Sequence, residues 1–128
     1  MPTPEQVRAA VDAYVDAYQR GDRDAFLDAF ADDGVVIDPV GMPPSAGREA
    51  RGAFWDMVHG MAENLRFEVK HVHVCAAEAA MVFEIHAGGG EDGAGGMIID
   101  AVDIFEVGDD GRISQVKAYW EMEKARTA

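Results

Sequence analysis

The segment Met97-Ile98-Ile99-Asp100-Ala101-Val102-Asp103-Ile104-Phe105-Glu106-Val107 puts a carboxyl group where it could do chemistry. Strand alternation places Met97, Ile99, Ala101, Asp103, Phe105 and Val107 on one face; the other face carries Asp100 and Glu106 and can be wetted there. An ionised Asp103 among those apolar neighbours is costly, so it must find a partner or stay protonated. A protonated carboxyl in an apolar pocket is a hydrogen-bond donor, suited to stabilising negative charge that develops on a substrate oxygen. Two other side chains could face the same pocket. Tyr14 falls on the apolar stripe of a helix, and Asp38 ends a strand just before Pro39. Taken singly, a stripe tyrosine is ordinary core and an Asp before Pro an ordinary turn former. Asp103 is the stronger signal, because buried carboxylates are rare without a partner or a role.

The elements that must hold these groups can be read from spacing. Thr3-Pro4-Glu5-Gln6 is a helix start, with Thr3 as cap, Pro4 at the first helical position and Gln6 completing a capping box. That helix runs to about Gly21 with Val7, Val11, Tyr14 and Tyr18 facing inward. Asp22 caps a second helix carrying Phe26, Leu27 and Phe30 and ending at Asp32-Asp33-Gly34. A short strand, Val35 to Asp38, follows; Pro39 keeps Asp38 extended, and Pro43 and Pro44 hold an irregular loop. A third helix, from Gly47 to about Met61, presents Phe54, Trp55, Val58 and Met61.

Four strands complete the chain. In Leu65 to Cys75 the apolar parity changes, which predicts a bulge near Lys70. Ala79, Met81, Phe83 and Ile85 form the inward face of the next strand, and Gly88 to Gly96 is a glycine-rich hairpin connection. The Asp103 strand comes next, then a turn at Asp109-Asp110-Gly111 and a final apolar face of Val116, Ala118, Trp120 and Met122. Helices first and a bent sheet afterwards predict a single α+β domain, 1–128, with a pocket between helices and sheet.

Charge narrows the partners. Asp and Glu number 24 against 11 Lys and Arg, a net charge of −13, which repels nucleic acid and anionic membranes. The acidity fits a soluble cytoplasmic protein whose small ligand is neutral or is reached through an apolar opening. The single Cys75 excludes an internal disulfide and reads as a small buried residue. The start of the chain, with Pro2, Pro4 and Glu5, shows no signal peptide, and no apolar run approaches membrane-spanning length. His71 and His73 share a strand face but lack a third ligand at suitable spacing, so they read as surface residues. Gly88-Gly89-Gly90 reads as a flexible turn, because no strand-to-helix phosphate loop surrounds it.

Along close to its full length the chain resembles the delta-5-3-ketosteroid isomerases of the nuclear-transport-factor-2-like superfamily. The likeness rests on Ala13-Tyr14-Val15, on Ala31-Asp32-Asp33-Gly34 followed by Asp38-Pro39-Val40-Gly41, on Asp103-Ile104-Phe105, and on Ala118-Tyr119-Trp120. The resemblance implies three N-terminal helices on a strongly curved mixed sheet forming a conical pocket, in a homodimer. It also implies that Asp38 is a general base, with Tyr14 and protonated Asp103 as the oxyanion hole. Asp38 would carry a proton from carbon 4 of a 3-oxo-delta-5-steroid to carbon 6, by way of a dienolate. That chemistry requires no metal, flavin or nicotinamide. Trp55, Phe83, Ala118 and Trp120 become the candidate substrate contacts, and Trp55 stands where many relatives have a second tyrosine. Two other readings use the same pocket: a polyketide-cyclase-like enzyme acting on another enolisable ketone, and a noncatalytic module for an apolar ligand.

Overall fold

The capping box at the start of α1 (Pro4–Arg20) forms as its sequence predicts. Gln6 N donates to Thr3 Oγ1 at 3.1 Å, and Thr3 N donates to Gln6 Oε1 at 2.8 Å. The computed structural model describes residues 1–90 and 94–128. α1 ends at Gly21, whose φ of 63° is left-handed backbone that glycine adopts without strain. Its inward stripe, Val7, Ala10, Val11, Tyr14, Ala17 and Tyr18, is buried. Asp22 caps α2 (Arg23–Asp28) by accepting from Ala25 N at 3.0 Å.

Here the expected boundary moves. α2 stops at Asp28, and Phe30 opens β1 (Phe30–Ile37) instead of closing the helix, so the strand starts well before Val35 and ends one residue short of Asp38. Pairing is the cause. Phe30 registers against Ile113, and Ile113 N donates to Ala29 O at 3.0 Å, drawing the chain into the sheet ahead of the Asp-Asp-Gly run.

After β2 (Ser45–Ala46) and α3 (Arg48–Met61) come β3 (Arg66–Cys75), β4 (Glu78–Ala87), β5 (Met97–Val107) and β6 (Ile113–Tyr119). The strand order is β2-β1-β6-β5-β4-β3, with β1 and β6 parallel and the other neighbours antiparallel. A short β7 (Arg126–Thr127) pairs with Met97 and Ile98, the part of β5 that β6 does not reach. The bulge near Lys70 is present, where the register passes from Val69↔Phe83 to His71↔Val82. Alternation in β5 holds, burying Ile99, Ala101, Asp103, Phe105 and Val107. Of the Gly88–Gly96 connection, residues 91–93 lie outside the described residues.

Three apolar assignments are corrected. Met61 is 80% exposed, because the covered stripe of α3 ends with Val58 and His59 and the helix's last two residues lie beyond it. Met122 is 55% exposed, in a one-turn 3-10 helix (Met122–Lys124) that follows the end of β6 at Tyr119. Cys75 is exposed at the last position of β3, where the hairpin turns towards β4. Among the described residues no helix is long and apolar enough to cross a membrane.

A buried arginine ties α3 to β1. The β1–β6 register shifts between Phe30 and Val35, and in that irregular stretch Gly34 O accepts from Arg51 Nη1 at 2.8 Å and Gly47 N at 3.1 Å. Arg51 is buried, with its guanidinium 4.8 Å from the centre of the Phe30 ring. A Cβ on Gly34 would lie 2.9 Å from both Ala31 O and Ile113 O, and backbone cannot swing aside as a side chain can. The unfolded-state gain from Gly→Ala is about 0.4–1 kcal/mol. Overpacking costs about 1–3 kcal/mol. Gly34→Ala should therefore lower stability by about 1–2 kcal/mol in urea unfolding; an unchanged or raised midpoint would show that this crossing of β1 and β6 is not tight.

Candidate active site

Tyr14 enters the interior from α1 and is locked there by aromatic rings. Phe105 meets it edge-on at 5.1 Å, Phe26 lies at 5.8 Å, Phe30 at 6.2 Å and Tyr18 at 5.1 Å, centroid to centroid. Only 1% of its surface is accessible. Burial pushes the phenol well above its ordinary pKa, and nearby Tyr18, Asp103 and Asp38 push in the same direction. It is therefore a neutral donor across the physiological range.

Asp103 enters from the sheet. Its cross-strand neighbours are Met81 on β4 and Ala118 on β6, both buried on the same face. The residue is 2% exposed, and its Oδ1 has no hydrogen-bond partner in the protein. Burial raises its pKa well above the carboxylate range, and the charge of Asp38 adds to the rise. An unpartnered oxygen on a buried acid is costly unless a ligand completes it. Burial favours the uncharged carboxyl, and Oδ1 keeps hydrogen-bonding capacity to spare.

Asp38 follows β1, the strand that runs parallel to β6 with Ile37 opposite Lys117. Beyond the strand, Val40 N donates to Ala118 O at 2.9 Å, so the chain stays against β6 past the cis Asp38–Pro39 peptide. This brings Asp38 to Trp120, whose Nε1–H donates to Asp38 Oδ1 at 2.7 Å. Burial raises the Asp38 pKa, and the indole hydrogen bond opposes that rise by favouring the ionised form. Half-buried Asp38 and sealed Asp103 thus differ in environment.

Tyr14, Asp38 and Asp103 belong to one electrostatic neighbourhood: the charge of Asp38 raises the pKa of both Tyr14 and Asp103, and that of Asp103 adds to the rise at Tyr14. Of the expected substrate contacts, Ala118 is the register partner of Asp103, and Phe83 is buried against Phe67 at 4.9 Å. Trp120 is first of all a donor to Asp38. Trp55 packs on Phe26, Tyr18 and His59 at 4.8, 4.9 and 3.9 Å, so Tyr18 is the phenol next to Tyr14. Around Tyr14 the space between α1 and the sheet is filled by Tyr18, Phe26, Phe30, Phe67 and Phe105, whereas a groove of about 580 Å³ opens between Val11, Val15 and Gln19 of α1 and Val69, Val72 and Met81 of the sheet. A groove of about 820 Å³ passes Pro39, Phe83, Ala101 and Trp120 and takes in Val82, Val102 and Tyr119. The three polar groups do not line it, so a ligand that reaches them must part the intervening side chains.

No signal other than its stripe position marked Tyr18, and the Trp120–Asp38 contact depends on a pairing of strands far apart in sequence. His71 and His73 lie on the surface with rings 6.0 Å apart. Among the described residues the one group of possible metal ligands is Glu68, Glu84 and His86. It is already matched by cations: Lys70 pairs with Glu68 at 3.0 Å and Arg126 with Glu84 at 2.7 Å, while Arg66 Nη2 lies 3.3 Å from His86 Nδ1.

The architecture is an α+β domain in which helices cover one face of a curved mixed sheet. The chain belongs to the SnoaL-like domain family, which it matches over residues 11–116. It is 29% identical over 115 residues to a Steroid Delta-isomerase of Nocardioides simplex, covering 90% of this chain and 89% of the relative. Among solved structures, the epoxide hydrolase/cyclase-like enzyme SalBIII of pyran ring formation in the polyether salinomycin superposes with a TM-score of 0.87 at 20% identity. RV0760c from Mycobacterium tuberculosis gives 0.85 at 23% identity, and both alignments cover 100% of both chains.

Two outcomes follow from the electrostatics. Trp120→Phe removes the donor that opposes desolvation, so the Asp38 titration followed by carboxyl carbon NMR should move to higher pH; an unmoved midpoint would mean the indole does not hold the carboxylate. For Asp103, a raised native pKa means the folded state keeps a proton that the unfolded state loses near pH 3.9. Its contribution to stability therefore declines as pH rises from there to the native pKa. Asp103→Asn removes this titration, so its stability relative to the parent should rise by about 1.4 kcal/mol per pH unit above about pH 5 until that pKa is reached. Urea unfolding of both proteins at pH 5, 6.5 and 8 measures the difference, and a flat difference would mean that Asp103 is ionised in the fold.

Proposed function

We propose that this protein is a cofactor-independent steroid delta-isomerase, moving the double bond of a 3-oxo-delta-5-steroid into conjugation with its ketone. The observation that carries the reading is the buried Asp103 carboxyl, with Oδ1 unpartnered, in electrostatic contact with Tyr14 and Asp38. Asp38 removes a proton from carbon 4, and the electron pair moves through the former carbonyl to give a dienolate. Tyr14 and neutral Asp103 donate to its oxygen, and their pull grows as charge collects there. Asp38 then returns the same proton to carbon 6. One base serves both steps, and no electron is gained or lost. The likeness to a steroid delta-isomerase over most of the chain supports the substrate class.

Ultraviolet detection of the conjugated enone, after addition of a 3-oxo-delta-5-steroid, tests this directly. Product should form, and Asp38→Asn should lower turnover by at least about a hundredfold while fold and steroid binding persist, since an amide is no base at neutral pH. Near-parental turnover in that variant would remove Asp38 from the mechanism. Steroid binding without product would favour a noncatalytic module; turnover of other enolisable ketones alone would favour the cyclase-like reading.

A further inference from the structure

The phenol of Tyr14 has a second phenol beside it. Tyr18 follows one turn later on the same buried stripe of α1, with ring centroids 5.1 Å apart and planes at 53°. Its own ring is held by Phe67, stacked at 4.6 Å, by Phe26, edge-on at 5.5 Å, by Trp55 at 4.9 Å and by His59 at 5.8 Å. A ring so enclosed has little freedom, which fixes its hydroxyl relative to that of Tyr14. The two phenols lie close enough that each bears on the other's protonation. Trp55, packed against Tyr18, can donate through its indole N–H but has no conventional acceptor. Tyr18 can do both.

The geometry points to Tyr18 as a positioning residue that acts through Tyr14, its hydroxyl donating to the Tyr14 oxygen while Tyr14 donates to the substrate oxygen. This rests on the role proposed for Tyr14. No proton leaves either phenol; two hydroxyl hydrogens choose partners. In the empty site Tyr14 can point at Tyr18. When a substrate oxygen arrives, Tyr14 turns to it, and Tyr18 turns to the Tyr14 oxygen. Hydrogen bonds in such a chain polarise one another, and the gain is larger for a dienolate oxygen than for a neutral ketone. The effect therefore falls on kcat more than on KM.

Tyr18→Phe keeps the ring and deletes the hydroxyl. With a 3-oxo-delta-5-steroid, kcat should fall about three- to tenfold while KM stays within about twofold. On a Tyr14→Phe background the same substitution should cost nothing further, because the group it acts through is gone. Equal losses on both backgrounds, or a change in KM alone, would overturn the assignment. Should Tyr18→Phe fail to fold, Tyr18→Met enters the same cycle.

Binding of substituted 2-naphthols supplies a readout without turnover, since the oxygen of an acidic naphthol resembles that of the dienolate. In Tyr18→Phe, affinity should drop several-fold for the most acidic naphthols and less for the weakest. If binding depends on Tyr14 but not on Tyr18, the role of Tyr18 fails and that of Tyr14 stands. If neither turnover nor naphthol binding responds to Tyr14→Phe, the proposed function fails and takes this inference with it.

Discussion

Keeping the Asp103 carboxyl out of water is the constraint on which the arrangement around it depends. A carboxylate removed from solvent without a cation nearby costs several kcal/mol, so burial favours the neutral group, and that preference lasts only while the surroundings stay dry. Dryness is supplied by position. β5 has β4 on one side and β6 on the other at Asp103, so Met81 and Ala118 flank the acid. On the same face Phe105 lies two positions along β5 and meets the Tyr14 ring edge-on. The hydrophobic core and the proposed acid are in this sense one structure: the residues that stabilise the fold by burial also set the protonation state.

Asp38 requires the opposite treatment, and the sheet provides it by a different kind of pairing. A parallel β1–β6 contact delivers the end of β1 alongside the end of β6, where the core gives way to solvent. There a half-buried carboxylate can receive an indole hydrogen bond and remain ionised. The path of β1 is in turn governed by Gly34 and Arg51, since a side chain at Gly34 would strike two carbonyl oxygens and the guanidinium holds the Gly34 carbonyl against α3. Arg51 leaves Nε and Nη2 without partners, and its pKa is lowered by burial. It is a costly clamp, kept at the point where β1 changes register.

What could be read from the sequence divides along physical lines. Local rules carried far: the Thr3 capping box, the Asp22 cap, the bulge near Lys70 and the alternation that buries Asp103 depend on neighbours in the chain, and each is present. Boundaries set by distant partners did not carry. Phe30 has the spacing of a helix residue, but pairing with Ile113 takes it into a strand, and Met61 and Met122 continue apolar periodicities past the surface that would bury them. Arg51 was legible in principle, because its spacing to Phe54, Trp55 and Val58 lies on the inward stripe of α3. Hydropathy alone reads an arginine as solvent-facing, and nothing local announces the Gly34 carbonyl. The Trp120–Asp38 bond joins residues 82 positions apart, so it required the fold.

The two aspartates also determine each other. Were both ionised, each would raise the energy of the other in a medium that screens poorly, so the pair favours a single negative charge. Which one keeps it follows from exposure and donors: Asp38 has the indole N–H and is less deeply buried, whereas Asp103 Oδ1 has no partner. The charge on Asp38 then raises the pKa of Asp103 further. In the proposed mechanism the charged Asp38 favours a neutral Asp103, and a change that lets water reach Asp103 would weaken the role proposed for it. That coupling explains why the dry layer and the Trp120 contact belong to the same design: one removes the charge from β5, and the other gives it a place at the end of β1.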